Sequence, residues 1–204
     1  MAEIVVNGRP MSLESGPKTW RDALAVVERD ADARQEAVTA VRFAGVDQPS
    51  FRGVELADTL LAAIGLVECE TVPRTRLLRT TLGTASLSLP TVAAGACQAA
   101  TRFRRGDLDD GHCQLSDVLA TIHTLVELTV ATAAAAGADL NRLACGADTA
   151  AGVLGAVGVV LDQLAESQRA ADWIAVADGL EYDLAPALLQ WGVVFDAIDD
   201  RCAA

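Results

Sequence analysis

From Arg74 to the end of the chain, apolar residues recur at the three- and four-residue spacing of a helix, and no stretch alternates as a strand would. Arg74 to Leu87 carries Leu77, Leu78, Leu82 and Ala85; Pro90 is expected to interrupt it, with a second stretch over Val92 to Arg105. Leu108 to Ala136 is the longest run. Leu108, Leu115, Val118, Leu119, Ile122, Val126 and Thr129 form one stripe, and Asp110, Gln114, Asp117, Thr121 and Thr124 the opposite face. Asp107 is placed to cap its start and Gly137 to end it. Further helices are predicted from Asp148 to Arg169 and from Ala171 to Arg201, the last kinked or restarted at Pro186. Trp173, Leu180, Ala187 and Val194 fall on one seven-residue register of that helix, with Ala177, Leu184, Trp191 and Ile198 on a second. Ala, Leu and Val dominate and aromatics are only 4% of the chain, a balance suited to closely packed helices. Residues 74–204 therefore predict an antiparallel four- to five-helix bundle.

Residues 1–73 read differently. Ile4-Val5-Val6 is a short strand, Asn7-Gly8 a hairpin turn, and Arg9 to Leu13 the return strand. Gly16-Pro17 breaks the chain before Thr19, which with Asp22 is close to a capping box. The helix that follows places Trp20, Leu24, Val27 and Ala31 on one face. Val38 to Phe43 alternates as a strand, Leu56 to Ile64 holds a short helical turn, and Val67 to Val72 is a last strand ending at Pro73. This order is that of a β-grasp, so the fold class expected is α+β, mainly α. Phe43-Ala44-Gly45, Leu56-Ala57-Asp58 and the strand from Leu66 to Val72 resemble the second half of a ubiquitin-like domain. No Gly-Gly follows that strand, because the chain runs straight on into helix. Conjugation through a free tail is thus not expected, and the resemblance implies a scaffold or docking module.

Residues 103–128, FRRGDLDDGHCQLSDVLATIHTLVEL, resemble the Gly-Asp turn and long helix of the flagellar secretion chaperones, and Asp172, Ile174 and Trp191 resemble that family's ending. The resemblance implies a small helical bundle that wraps a partner's helical tail and has no catalytic activity.

Charge narrows the partners. Residues 1–106 hold 13 Arg and Lys against 12 Asp and Glu; residues 107–204 hold 3 against 16, a net −13. Such a surface repels nucleic acid and anionic lipid and favours a basic partner. The start of the chain lacks the basic flank and long apolar run of a signal peptide. Val118 to Ala138 contains His123 and Glu127, and Ala150 to Leu161 is too short to span a membrane, so both are expected to be buried helices of a cytoplasmic protein. Five cysteines (Cys69, Cys97, Cys113, Cys145 and Cys202) are odd in number and widely spaced, which argues for core thiols and against a disulfide framework or metal knuckle.

Few residues suggest chemistry. His123 and Glu127, four apart, could share a helix face and hold a metal or move a proton, or could be solvated neighbours beside the helix seam. Gly152, Gly155 and Gly158 imply a close approach, either to the Ala-rich end near Ala131 to Ala136 or to a bound group. Arg74, Arg76 and Arg79, with Arg102, Arg104 and Arg105, could bind phosphate or pair with Asp107, Asp109 and Asp110. Glu181, Tyr182, Asp183 and Pro186 suggest a notch at a helix kink, and Trp191 nearby a groove-lining anchor. These five are the candidate partner-binding residues. No nucleophile has a base at readable spacing, so neither an enzyme, a metal nor a cofactor is expected. The expected function is that of an adaptor or chaperone-like protein whose helical face receives a partner's amphipathic helix. A second copy of the chain is a further expected partner, and nucleic acid and membrane insertion are not. The alternative is a binding protein for a small ligand or metal inside the bundle.

Overall fold

In a computed structural model that describes residues 3–12 and 17–203, the chain is α+β: a small mixed sheet comes first and long helices follow. It divides into two compact units, Met1–Leu77 and Leu78–Ala204. Leu13 and Gly16, the expected end of the return strand and half of the expected break, lie outside the described residues.

The first unit opens with β1 (Glu3–Val6) and β2 (Arg9–Met11). Asn7 and Gly8 between them both have positive φ, 48° and 76°, the backbone a two-residue hairpin requires and that Asn-Gly adopts most readily. Helix α1 (Trp20–Ala33) is capped by Thr19, whose hydroxyl accepts from the Asp22 amide at 3.4 Å. Strand β3 (Glu36–Phe43) and the two-residue β4 (Val46–Asp47) form a hairpin; two single turns, α2 (Val54–Ala57) and α3 (Leu61–Ile64), then lead to β5 (Leu66–Pro73). The sheet order is β2-β1-β5-β3-β4, with β1 and β5 parallel (Ile4 opposite Val67) and the other pairs antiparallel. This mixed sheet is compatible with the β-grasp expectation.

Simple alternation fails in β3 for a physical reason. The ladder slips between Val38 and Ala40, leaving Thr39 as the extra residue of a bulge. The phase therefore flips, and Val38 and Val41 are both buried, although strict alternation had put them on opposite faces. They join Ile4, Val67 and Cys69 beneath Trp20, Leu24, Val27 and Ala31 of α1. Trp20 is fully buried, and its indole N–H donates to the Phe51 carbonyl at 2.7 Å.

Helix α4 (Arg74–Arg105) begins where β5 ends and runs unbroken through Pro90, contrary to expectation. A proline costs a helix roughly 3 kcal/mol. Leu82, Ala85, Leu89, Val92, Ala93 and Ala96 are buried on both sides of it, and burying one large aliphatic side chain stabilises by about 1.5–3 kcal/mol. Packing outweighs the breaker.

A tight turn, with Gly106 at φ 80°, leads to α5 (Leu108–Ala135). Asp107 occupies the cap position, but its side chain makes no capping bond. Gly111, Leu115, Val118, Ile122, Leu125, Thr129 and Thr132 of α5 are buried at alternating steps of four and three. The stripe thus follows Leu125 rather than Leu119 and Val126, which are exposed.

A two-stranded hairpin, β6 (Ala144–Cys145) and β7 (Asp148–Thr149), precedes α6 (Ala150–Arg169), which Thr149 caps. The expected last helix is four pieces: α7 (Trp173–Asp178), a π-helical segment Gly179–Leu184, α8 (Ala185–Gln190) and α9 (Gly192–Ala203). Ala177, Leu184, Trp191 and Ile198 of the second register are all buried; of the first, Leu180 and Val194 are buried and Trp173 and Ala187 half-buried.

Helices α5 and α6 are each long and apolar enough, by length and composition alone, to cross a membrane. The buried stripe of α5 is that of a core helix. In α6, by contrast, only Ala150, Val157 and Leu164 are buried, so the expectation of a buried helix there is corrected.

Candidate functional site

Arg104 of α4 organises the kink. Its guanidinium bonds Asp178 at 2.8 Å, pairs with Glu181, and lies 5.7 Å from the centre of the Tyr182 ring. The hydrogen bonds it donates to Asp178 and Glu181 raise the Arg104 pKa above its ordinary value. Pro186 is the second residue of α8, which continues directly from the π segment. At that junction the Ala185 amide reaches five residues back to the Leu180 carbonyl. Gly179 allows α6 to approach, since a Cβ there would meet Leu164 Cδ2 at 2.9 Å. Tyr182, Asp183 and Pro186 are exposed at the kink, but Glu181 is half-buried and faces Arg104, whereas Asp183 borders a cavity against α6. Trp191 does not join them. It is 1% exposed, and its indole N–H donates to Thr129 Oγ1 at 3.1 Å, which makes it a core residue and removes it from any accessible surface.

Other expected groups are placed as follows. His123 Nε2 lies 3.4 Å from Glu127 Oε1, with both side chains about 70% exposed. Among the described residues no cluster of three or more His, Cys, Asp or Glu could hold a metal. Arg102 pairs with Asp110 at 2.6 Å, Arg79 with Asp199 at 3.0 Å, and Arg74 with Asp32. The arginine clusters are largely spent on intramolecular pairs, though mostly with partners other than those expected. Gly155 and Gly158 face open space, and Gly152 faces the Asp148 side chain. The expected close packing of this glycine stripe is therefore absent. Cys69 and Cys145 are buried and Cys113 is exposed, and burial pushes the Cys69 thiol up to about 11.

Sequence reasoning missed an open apolar surface. Helices α4 and α5 touch at Gly95, where a Cβ would lie 3.1 Å from Val118 Cγ2. On the Thr80 side of that contact a groove of about 370 Å³ lies between them. Its lining is Thr80, Thr81, Thr84, Ala85 and Ser88 from α4, with Thr121, Thr124, Leu125 and Leu128 from α5.

Five of these residues are threonines, yet the surface is apolar. Thr84 donates its hydroxyl to the Thr80 carbonyl, Ser88 to Ala85, Thr121 to Asp117 and Thr124 to Ala120, at 2.7–3.1 Å. With these four hydroxyls turned back on their own helices, their carbon atoms are left to line the groove. Ala85 and Leu125 form a buried floor, and no lining side chain carries a charge. The signal was available as Thr80, Thr84 and Ser88 at steps of four, facing Thr121 and Thr124. A hydroxyl counts as polar in any hydropathy pattern, and that concealed it.

The groove can bury an apolar surface. Comparison with protein-family models, with curated proteins and with solved structures finds no match for this chain.

Proposed function

We propose that this protein is a non-enzymatic adaptor or chaperone-like protein that receives an amphipathic helix of a partner in the groove between α4 and α5. The observation that carries the reading is the lining itself: open, apolar and free of charge along two adjacent helices. Helix-in-groove recognition needs such a trough, with side chains at steps of three and four supplying the anchors. A small-molecule site would need a few polar groups to orient its ligand, and here the hydroxyls with assigned bonds are directed to their own helices. In this reading the helical unit is an antiparallel bundle, and the N-terminal unit is a ubiquitin-like β-grasp that serves as a docking module. Self-association, where it occurs, belongs to the exposed Gly155, Ala156, Gly158 and Val159 of α6.

The test is retention of a partner from native cytoplasm on the tagged full-length protein and on a Thr84→Trp/Thr124→Trp variant that fills the groove without adding charge. One dominant protein held by the wild type and lost from the variant, then reconstituted from purified components, is the expected result. Equal retention by both would move the binding surface elsewhere, with the Glu181–Asp183 edge as the next to examine. Retention of nothing specific at moderate salt would reject the adaptor reading.

A further inference from the structure

Resting on that reading, we infer that the helix received by the α4–α5 groove is cationic on its polar face: aliphatic side chains enter the groove while Arg or Lys flank it. The lining spans Thr80 to Ser88 on one helix and Thr121 to Leu128 on the other, roughly 11–12 Å at about 1.5 Å per residue, or two turns of an occupant. An occupant of that length contributes apolar groups only along its buried stripe. Its remaining side chains lie over the lips, where charge decides.

The α5 lip is acidic, and α4 carries no carboxylate. Asp117 stands one turn before Thr121 on the same face of α5, is exposed, and makes no ion pair among the described residues. Glu127, between Thr124 and Leu128 in sequence, is exposed and lies 3.4 Å from His123. Of the cations on the α4 side, Arg79 is occupied by Asp199, and Arg76 lies one turn beyond Thr80, at the far end from Asp117. Residues 78–204 as a whole hold seven arginines against 16 carboxylates, a net −9. A cationic helix is drawn toward this field, and an acidic one meets like charge at close range.

The experiment uses the full-length protein and three fluorescein-labelled 20-residue peptides. They share one Leu/Ala helical face and carry Arg, Gln or Glu on the other. Anisotropy titrations at low and high salt are expected to rank them Arg over Gln over Glu. The Arg peptide should bind at least roughly tenfold tighter than the Gln peptide at low salt, a margin that shrinks at high salt. Asp117→Asn/Glu127→Gln should narrow that margin and leave Gln-peptide binding intact. Equal affinity for the Arg and Gln peptides overturns the charge inference and leaves the groove reading standing. Arg-peptide binding that survives Thr84→Trp/Thr124→Trp, or no binding by any peptide, overturns the groove reading itself.

Discussion

Two polar contacts show how single residues hold each unit. In the helical unit, Trp191 donates to Thr129 Oγ1, and the Thr129 hydroxyl in turn donates to the Leu125 carbonyl at 2.6 Å, all in a buried setting. Thr129→Val removes the acceptor and strands the indole N–H, a loss of about 1–3 kcal/mol. Trp191→Phe removes the donor and leaves a cavity. Because the two residues share one bond, the double variant should cost less than the sum of the singles, as measured by urea unfolding. In the first unit, the Thr71 hydroxyl donates to Glu36 Oε2 at 2.7 Å and is the main cause of a lowered Glu36 pKa. Partial burial opposes that shift, and Arg34 at 3.2 Å adds to it. A carboxylate with a depressed folded pKa stabilises above its unfolded value of about 4.3, and that contribution disappears as pH falls through the folded pKa. Thr71→Val should therefore raise the Glu36 pKa in an NMR titration of its side-chain carboxyl carbon. An unchanged midpoint would assign the shift to Arg34 instead.

At the scale of the element, two glycines in similar helical backbone predict opposite outcomes. A Cβ at Gly155 meets open space, so Gly155→Ala should stabilise α6 by about 0.5–1 kcal/mol through helix propensity alone. A Cβ at Gly95 would press on the buried Val118 at 3.1 Å. Overpacking of about 1–3 kcal/mol then meets a propensity gain of about 1, so Gly95→Ala should be neutral to destabilising by up to about 2 kcal/mol. Thermal unfolding of the two variants checks the sign. This pair also marks the limit of what the sequence could reveal. The Asn7-Gly8 turn, the Thr19 cap and the ends of α5 depend on neighbours within a few residues, and they were legible. The passage of α4 through Pro90, the bulge at Thr39 and the π segment before Pro186 were not, because each is settled by packing against distant residues. The candidate site divides the same way. The kink at Glu181–Asp183 was read from local residue types, whereas Trp191 was assigned to a surface it does not reach. The groove was missed because the direction of a threonine hydroxyl is set by its own helix.

For the whole molecule the question is whether two cores behave as two folding units. Trp20, Val27, Val41 and Val67 belong to one cluster and Leu89, Ile122, Leu180 and Trp191 to another, with separate membership. Domains with separate cores open independently unless something rigid couples them. Helix α4 is the candidate coupler, since the boundary at Leu77 falls inside it without a break. Trp20→Ala distinguishes the cases. It removes a fully buried side chain and its bond to Phe51, at a cost of about 3–5 kcal/mol, comparable to the whole stability of a domain this small. With independent units, hydrogen exchange should show protection lost in β1, β3 and β5 and kept in α5 and α8, with most of the helical circular dichroism retained. Loss of protection in both units together would mean that α4 joins them into one cooperative structure. The N-terminal unit would then act on the stability of the groove as well as on docking.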